Sequence, residues 1–160
     1  MAMKLDETDR NILRILQREG RITNANLSKR IGISAPAMLE RVKRLESAGV
    51  ITRFVALVDP EQIGVGAIAF VRVSLAAHQL PKVDQFSAKI RQMEEVLECY
   101  QVSGSDDYIL KVALKNVRDY RDFTFKKLAT IEGVQSINSS FVLDTIKYQT
   151  ALPIQSPEAD

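Results

Sequence analysis

The sequence predicts an α+β chain in two parts, a small helical head followed by a β-α-β-β-α-β unit. Three observations carry this. The first sixty residues show three short apolar periodicities, each opened by a capping residue and closed by glycine. A turn-rich stretch from Asp59 to Gly66 then interrupts the pattern. Beyond it, alternating apolar runs exchange with two helical periodicities in the order strand, helix, strand, strand, helix, strand. We divide the chain into residues 1–60, a linker at 61–66, a second domain at 67–152 and a tail at 153–160.

In the head, the spacing predicts a helix from Asp6 to Glu19. Asp6 is its N-cap, with Asp9 three residues on, and Ile12, Leu13, Ile15 and Leu16 form one face before Gly20. Thr23 caps a second helix, Asn24 to Arg30, with Leu27 and Ile31 as anchors, and Gly32 supplies a turn needing positive φ. Ser34 caps a third helix ending at Gly49. Pro36 lies in its first turn, where a missing N–H costs nothing, and Met38, Val42 and Leu45 form its buried stripe. Val50 to Asp59, β-branched and apolar, reads as a strand.

A short helix, a glycine turn and a longer capped helix make a helix-turn-helix pattern. The face of the third helix away from its stripe offers Ser34, Ala35, Ala37, Glu40, Arg41 and Arg44, with Lys43 beside them. Small residues near the helix start allow close approach to base edges, and Arg41, Lys43 and Arg44 have the chemistry to reach phosphates or guanines. Charge agrees. The chain has 22 Lys and Arg against 20 Asp and Glu, a net +2. Residues 1–60 hold eleven basic against seven acidic, a local +4, so the remainder is −2. A basic head on a slightly acidic body suits double-stranded DNA; the plain alternatives are a solvated helix face laced with salt bridges, or a three-helix protein-interaction domain.

In the second domain, strands are expected over Ala67 to Ala77, Val96 to Ser103, Tyr108 to Leu114 and Val134 to Leu143. Helices are expected over Leu80 to Met93, with Val83, Phe86, Ile90 and Met93 on one face, and from the Asn116 cap to Thr130, with Tyr120, Phe123, the Lys127 stem, Leu128 and Ile131 inward. This order is the ferredoxin-like split arrangement. A faint repeat supports it, because Glu94-Glu95-Val96 and Glu132-Gly133-Val134 each lead from helix to strand. Both helices on one sheet face leave the other uncovered. Strand parity prevents Ile68, Phe70, Tyr100 and Phe141 from all sharing a side, yet apolar residues of this kind predict oligomerisation.

Composition closes other routes. A single cysteine and a single histidine exclude a disulfide framework and a Cys- or His-rich metal centre. No apolar run has the roughly 18 residues of a membrane span, and Met1 to Glu7 has no apolar signal core, so the cytoplasm is the expected compartment. Cys99 reads as a small core or interface residue and His78 as exposed. Asn138-Ser139-Ser140 is a glycosylation sequon without consequence inside the cell, and the polar end from Gln155 to Asp160 reads as frayed.

Two longer patterns carry a resemblance. In the head they are Asp6-x-x-Asp9-Arg10-Asn11-Ile12-Leu13, Gly20-Arg21-Ile22-Thr23-Asn24-x-x-Leu27-Ser28, Gly32-Ile33-Ser34, and Arg41-Val42-Lys43-Arg44-Leu45-Glu46-x-x-Gly49-Val50-Ile51. In the second domain they are Glu98-Cys99-Tyr100-Gln101-Val102-Ser103-Gly104, Asp107-Tyr108, Gly133-Val134 and Phe141-Val142-Leu143-x-x-x-Lys147. Together, from about Leu5 to Pro153, they resemble the Lrp/AsnC, or feast/famine, regulators related to the leucine-responsive regulatory protein. The resemblance implies a winged helix-turn-helix joined to an amino-acid-sensing domain, dimers formed through the C-terminal sheets, and further assembly into rings of four dimers. It also implies a small effector, usually an amino acid, between neighbouring dimers near the turn joining the second and third strands; no other cofactor is implied.

The chemistry of that turn fits. Asp107 can pair with an ammonium, and the N–H groups around Gly104 and Ser105 can receive a carboxylate. Asp106, Tyr108, Ser139 and Ser140 complete the candidate set. The chain departs from the family's usual Gly-polar-aromatic-Asp at Asp106, which stands where the aromatic is common. The local alternative for Asp106 and Asp107 is turn stabilisation by side-chain hydrogen bonds.

The function predicted is a sequence-specific DNA-binding transcriptional regulator responding to a small effector, and not an enzyme. The main rival is an amino-acid-binding regulatory or enzymatic protein with no DNA role, which would need a nucleophile, an acid–base pair or a cofactor loop that the motifs do not supply. An RNA platform would want basic and aromatic residues together on the strands, whereas the C-terminal part is net acidic.

Overall fold

The computed structural model describes residues 3–76 and 80–155. The chain forms two compact units, one of residues 1–57 with 147–160 and one of residues 58–146. His78 and the last five residues of the expected frayed end lie outside the described residues.

Three helices build the first unit: α1 (Glu7–Leu16), α2 (Asn24–Ile31) and α3 (Ala35–Ser47). Each begins on the predicted cap. Asp6 and Asp9 form a reciprocal capping box, Thr23 accepts from the Asn26 amide, and Ser34 accepts from the Ala37 amide. Gly32 ends α2 in the left-handed region at φ 83°, where a side chain would be strained. Ile12, Leu13, Leu27, Met38, Val42 and Leu45 are buried together. All six are on the predicted apolar faces, so burial of those stripes is what fixes the helices against one another.

One expectation for this unit is corrected. Val50 to Asp59 is not a strand: it runs irregular or extended without a ladder, and Phe54, Val55, Leu57 and Val58 are exposed. β-branched residues favour extended backbone, but a strand also needs a neighbour to receive its hydrogen bonds. The described part of the C-terminal segment, residues 147–155, groups with the first unit. Ile154 packs against the α1–α3 core, and Arg14 donates to its carbonyl at 3.2 Å.

The second unit contains β1 (Ala67–Leu75), α4 (Leu80–Ile90), β2 (Val96–Gln101), β3 (Tyr108–Leu114), α5 (Val117–Lys126) and β4 (Val134–Phe141). The sheet order is β2-β3-β1-β4, with every neighbouring pair antiparallel. That is the predicted split β-α-β arrangement. Several elements stop short of their predicted ends. α4 ends at Ile90 with Met93 in the following turn, α5 ends at Lys126 before a short 3₁₀ turn at Leu128–Thr130, and β4 ends at Phe141. The faint repeat has a structural counterpart, since Val96 N–H donates to the Met93 carbonyl and Val134 N–H to the Ile131 carbonyl. Each helix therefore hands over to its strand through the same tight turn.

Ala69, Val71, Val73, Leu110 and Val112 point to the helix side and are buried with Phe86, Ile90, Phe123, Leu128 and Ile131. Register decides the other face. Ile68, Phe70, Arg72 and Ser74 pair across to Ala113, Lys111, Ile109 and to Ser140, Asn138 and Ser136, with Glu98 and Tyr100 of β2 joining them. Phe141 instead lies opposite Ala69 and meets Tyr120 edge-on at 4.9 Å. Cys99 is exposed on the edge strand β2 and is not a core residue; an edge strand lacks the second neighbour that would cover it.

Candidate DNA interface and effector turn

The exposed side of α3 follows from its buried stripe. With Met38, Val42 and Leu45 inward, Ser34, Ala35, Glu40, Lys43 and Arg44 are exposed, and Ala37 and Arg41 are half-buried. Sequence reasoning missed Leu39, 43% exposed on the same helix, where an apolar tip can meet a thymine methyl. It also missed a shallow depression lined by Arg21, Thr23, Asn26 and Lys29 at the start of α2. The signal was present in the Gly20-Arg21-Ile22-Thr23 run, which places a cation two residues before a helix cap.

The two arginines of α3 are engaged. Arg41 Nη1 donates to Asp6 Oδ2 at 2.7 Å and to Asp9 Oδ1 at 2.8 Å. Arg44 Nη2 sits 2.9 Å from both oxygens of Asp9. Asp9 is 1% exposed, so one buried carboxylate serves two guanidinium groups and the α1 capping box. The Asp9 amide, then the Arg41 guanidinium, hold the Asp6 carboxyl below its usual value, and Asp6 and Asp9 raise Arg41 in return. Placing Arg41 and Arg44 off the apolar stripe was right. The salt-bridged alternative for this face holds as well, because Asp6 and Asp9, read from the chain as capping residues, also pair with these arginines.

At the other candidate site, the chain turns between β2 and β3 through Gly104, Ser105, Asp106 and Asp107. Gly104 has φ 132° with open space where a Cβ would stand. Asp107 is tied into the sheet: its Oδ2 accepts from the Leu75 amide at 2.7 Å, its own amide donates to the Val73 carbonyl at 3.0 Å, and its carbonyl accepts from Val102 at 2.9 Å. Asp106 receives the Ser74 and Ser105 hydroxyls, each at 3.4 Å, and lies 4.0 Å from Arg72. Hydrogen bonds to turn and strand groups are thus present for both carboxylates. The turn stands over the end of β1.

Three of the candidate residues do not gather at this turn. Tyr108 is 5% exposed, with its ring 4.5 Å from Phe86, because strand alternation turns it to the helix side with Leu110 and Val112. Ser139 is opposite Val71 on that same side and is hydrogen-bonded to the Tyr120 hydroxyl. Ser140 faces the open side, opposite Phe70. Five residue steps of β1 separate Phe70 from Leu75, about 17 Å of extended chain, so register keeps both serines away from Gly104 of the same chain.

The comparisons with known proteins agree with this architecture. A family model described as Lrp/AsnC ligand binding domain matches residues 68–152, and one described as winged helix-turn-helix DNA-binding matches residues 5–52. The chain is 37% identical over 154 residues to the transcriptional regulator AzlB of Bacillus subtilis, covering 96% of this chain and 98% of that one. It is 38% identical over 152 residues to the leucine-responsive regulatory protein of Salmonella typhimurium, covering 95% and 93%. Among solved structures, a Neisseria meningitidis transcriptional regulator in complex with L-Met aligns with a TM-score of 0.90 at 39% identity, covering 94% and 97% of the two chains. AsnC of E. coli aligns with a TM-score of 0.85 at 28% identity, covering 92% and 98%.

Proposed function

The chain belongs to the Lrp/AsnC family of transcriptional regulators, and from that premise we propose how its own residues divide the work. It is a DNA-binding regulator with an amino-acid-binding domain. In our reading α3 enters the major groove, with Ser34, Ala35 and Ala37 near base edges and Glu40, Arg41, Lys43 and Arg44 along the groove walls. The observation that carries this is the exposed outer face of α3, which begins at a side-chain-capped N-terminus and leaves Lys43 outward. A helix start favours a phosphate nearby.

The protein acts as a homodimer. The open sheet face supports this, since Ile68, Phe70, Ile109 and Tyr100 are apolar groups that one chain leaves uncovered, and a two-fold contact is the simplest way to cover them. Two heads on one dimer then meet half-sites about one helical turn apart or a multiple of that. Assembly of four dimers is the next level in this reading, and the cytoplasm is where such a regulator meets its DNA.

The effector is a small amino acid held at Gly104 to Asp107. The regulator from Neisseria was solved with L-Met, which makes methionine the first ligand to test. Gly104 and Ser105 offer peptide N–H groups to a carboxylate, and Asp106 and Asp107 offer charge to an ammonium. A carboxylate has about four acceptor positions, so Asp107 can hold the Leu75 amide and a ligand together. Regulation by binding, not catalysis, is the activity these groups support.

Two measurements test the proposal. Affinity for duplex DNA should fall steeply from low to physiological salt, as expected when several phosphates are neutralised; a flat profile would refute the interface. A thermal-shift screen of the twenty amino acids should reveal the effector, because a ligand bound only by the folded state raises the melting temperature.

A further inference from the structure

The four charged groups between α1 and α3 do more than join two helices. Asp9 is buried, its two oxygens accept from Arg41 and Arg44 at 2.8 to 2.9 Å, and Asp6 takes a second hydrogen bond from Arg41 at 2.7 Å. The cations they hold lie on the helix assigned to the groove, and Arg44 keeps a side-chain exposure of 51%. A guanidinium held by a carboxylate has restricted geometry, and its charge is already matched within the protein.

We propose that Asp9, assisted by Asp6, is a positioning residue of the DNA interface: it holds Arg41 and Arg44 in fixed directions and withdraws their charge from indiscriminate competition for phosphates, so that random duplex is bound weakly. This rests on the placement of α3 in the groove. Non-specific affinity comes from phosphates neutralised by mobile cations. Arginines already matched by Asp6 and Asp9 add little to it. Their remaining donors stay aimed for contacts that fit the bound geometry, and specificity is the difference between those two affinities.

The test uses the full chain and a random-sequence duplex, with affinity followed from low to physiological salt. The variants are Asp9→Asn, Asp6→Asn and Glu7→Gln. Asparagine caps a helix as well as aspartate, so Asp6→Asn keeps the α1 start while releasing part of the hold on Arg41. Glu7→Gln removes the same charge from an exposed neighbour that pairs with Arg14 and Arg10. We expect the slope of log affinity against log salt to steepen by up to about 0.9 for each arginine released. That is a measurable steepening of up to one step for Asp6→Asn and up to two for Asp9→Asn, with random-duplex affinity at low salt rising by up to roughly three- to tenfold. Glu7→Gln should leave the slope unchanged. A residue with a purely structural role would lower the active fraction without steepening the slope. Should Asp9→Asn fail to fold, Asp6→Asn decides alone. Unchanged slopes in the aspartate variants, or equal steepening with Glu7→Gln, would overturn the inference. The parent chain's own salt dependence tests the underlying placement of α3 separately.

Discussion

Gln17, just beyond α1, and Leu152, near the C-terminus, hold each other by two hydrogen bonds. The Gln17 amide nitrogen donates to the Leu152 carbonyl at 3.1 Å, and the Leu152 amide donates to Gln17 Oε1 at 2.6 Å. The side chain thus does for Leu152 what a neighbouring strand would do. Both bonds are exposed, so water competes for them, and we expect Gln17→Ala to lower the stability of the first unit by about 1 kcal/mol. A chain ending at residue 146 also loses the Ile154 packing and should lose more. Denaturant unfolding followed by hydrogen exchange of α1 amides checks this. Unchanged α1 protection in the shortened chain would show that the C-terminal segment is a passenger.

Arg41→Ala and Arg44→Ala should weaken DNA binding, but neither will leave stability untouched. Each removes a hydrogen-bond partner from the buried Asp9 carboxylate. The expected loss is about 1–3 kcal/mol for either change, and more when both are combined, because an uncompensated buried charge remains. Lys43 is exposed and, among the described residues, makes no hydrogen bond or salt bridge. Lys43→Ala should stay within about 0.5 kcal/mol of the parent in stability while reducing DNA affinity and the salt slope. Paired denaturation and gel-shift measurements separate the two effects. Equal stability of the parent and Arg44→Ala would show that the Asp9 pairing is not needed for the fold.

Acid should loosen the first unit through Asp6. Its carboxyl is depressed in the folded state by the Asp9 amide first and by Arg41 second. A group depressed on folding contributes stability that is fully present above its unfolded value and is lost as pH falls through the folded one. The loss therefore begins below about pH 4. Asp6→Asn, which has no proton to take up, should flatten that part of the profile relative to the parent. Thermal melts between neutral and acid pH decide it, and parallel profiles would dismiss Asp6 as the source.

At the turn, Asp107→Ala leaves the Leu75 amide without its acceptor, so a loss of about 1–3 kcal/mol is expected. Asp107→Asn retains a carbonyl oxygen for that amide and should cost less. Both remove the negative charge, so both should weaken binding of the amino acid found in the thermal-shift screen. Gly104→Val meets no neighbouring atom but forces a β-branched residue to φ 132°, a strain of about 1–3 kcal/mol. Calorimetric titration of the Asp107→Asn protein gives the critical comparison. Affinity equal to the parent's would remove Asp107 from the ligand site.

Phe70, 44% exposed at the middle of the open sheet face, tests the homodimer. Phe70→Lys sets a third cation beside Arg72 and Lys111 on strands that would face their own copies. Light scattering of the full chain should show a dimer or larger assembly for the parent and a shift toward monomer for the variant. A parent that is monomeric at micromolar concentration would refute both the dimer and the reading of paired half-sites.

Local chemistry was legible from the chain alone. The caps Asp6, Thr23, Ser34 and Asn116, the left-handed Gly32 and the stripe Met38–Val42–Leu45 depend on neighbours within a few residues, so spacing is enough to find them. Element order then yielded the split β-α-β sheet, because few topologies satisfy it. Long-range contacts had no such signal. Asp9 reads as a cap residue whether or not Arg41 and Arg44 lie against it 32 and 35 positions later, and nothing near Gln17 announces Leu152. Strand register had to be known before Tyr108 and Ser139 could be assigned to the helix side and Ser140 to the open one, since a shift of one residue exchanges the two faces. Local periodicity determined which surfaces are apolar. Only tertiary packing decided which charges meet and which polar groups remain available to DNA or a ligand, because those pairings are made between segments far apart in the chain.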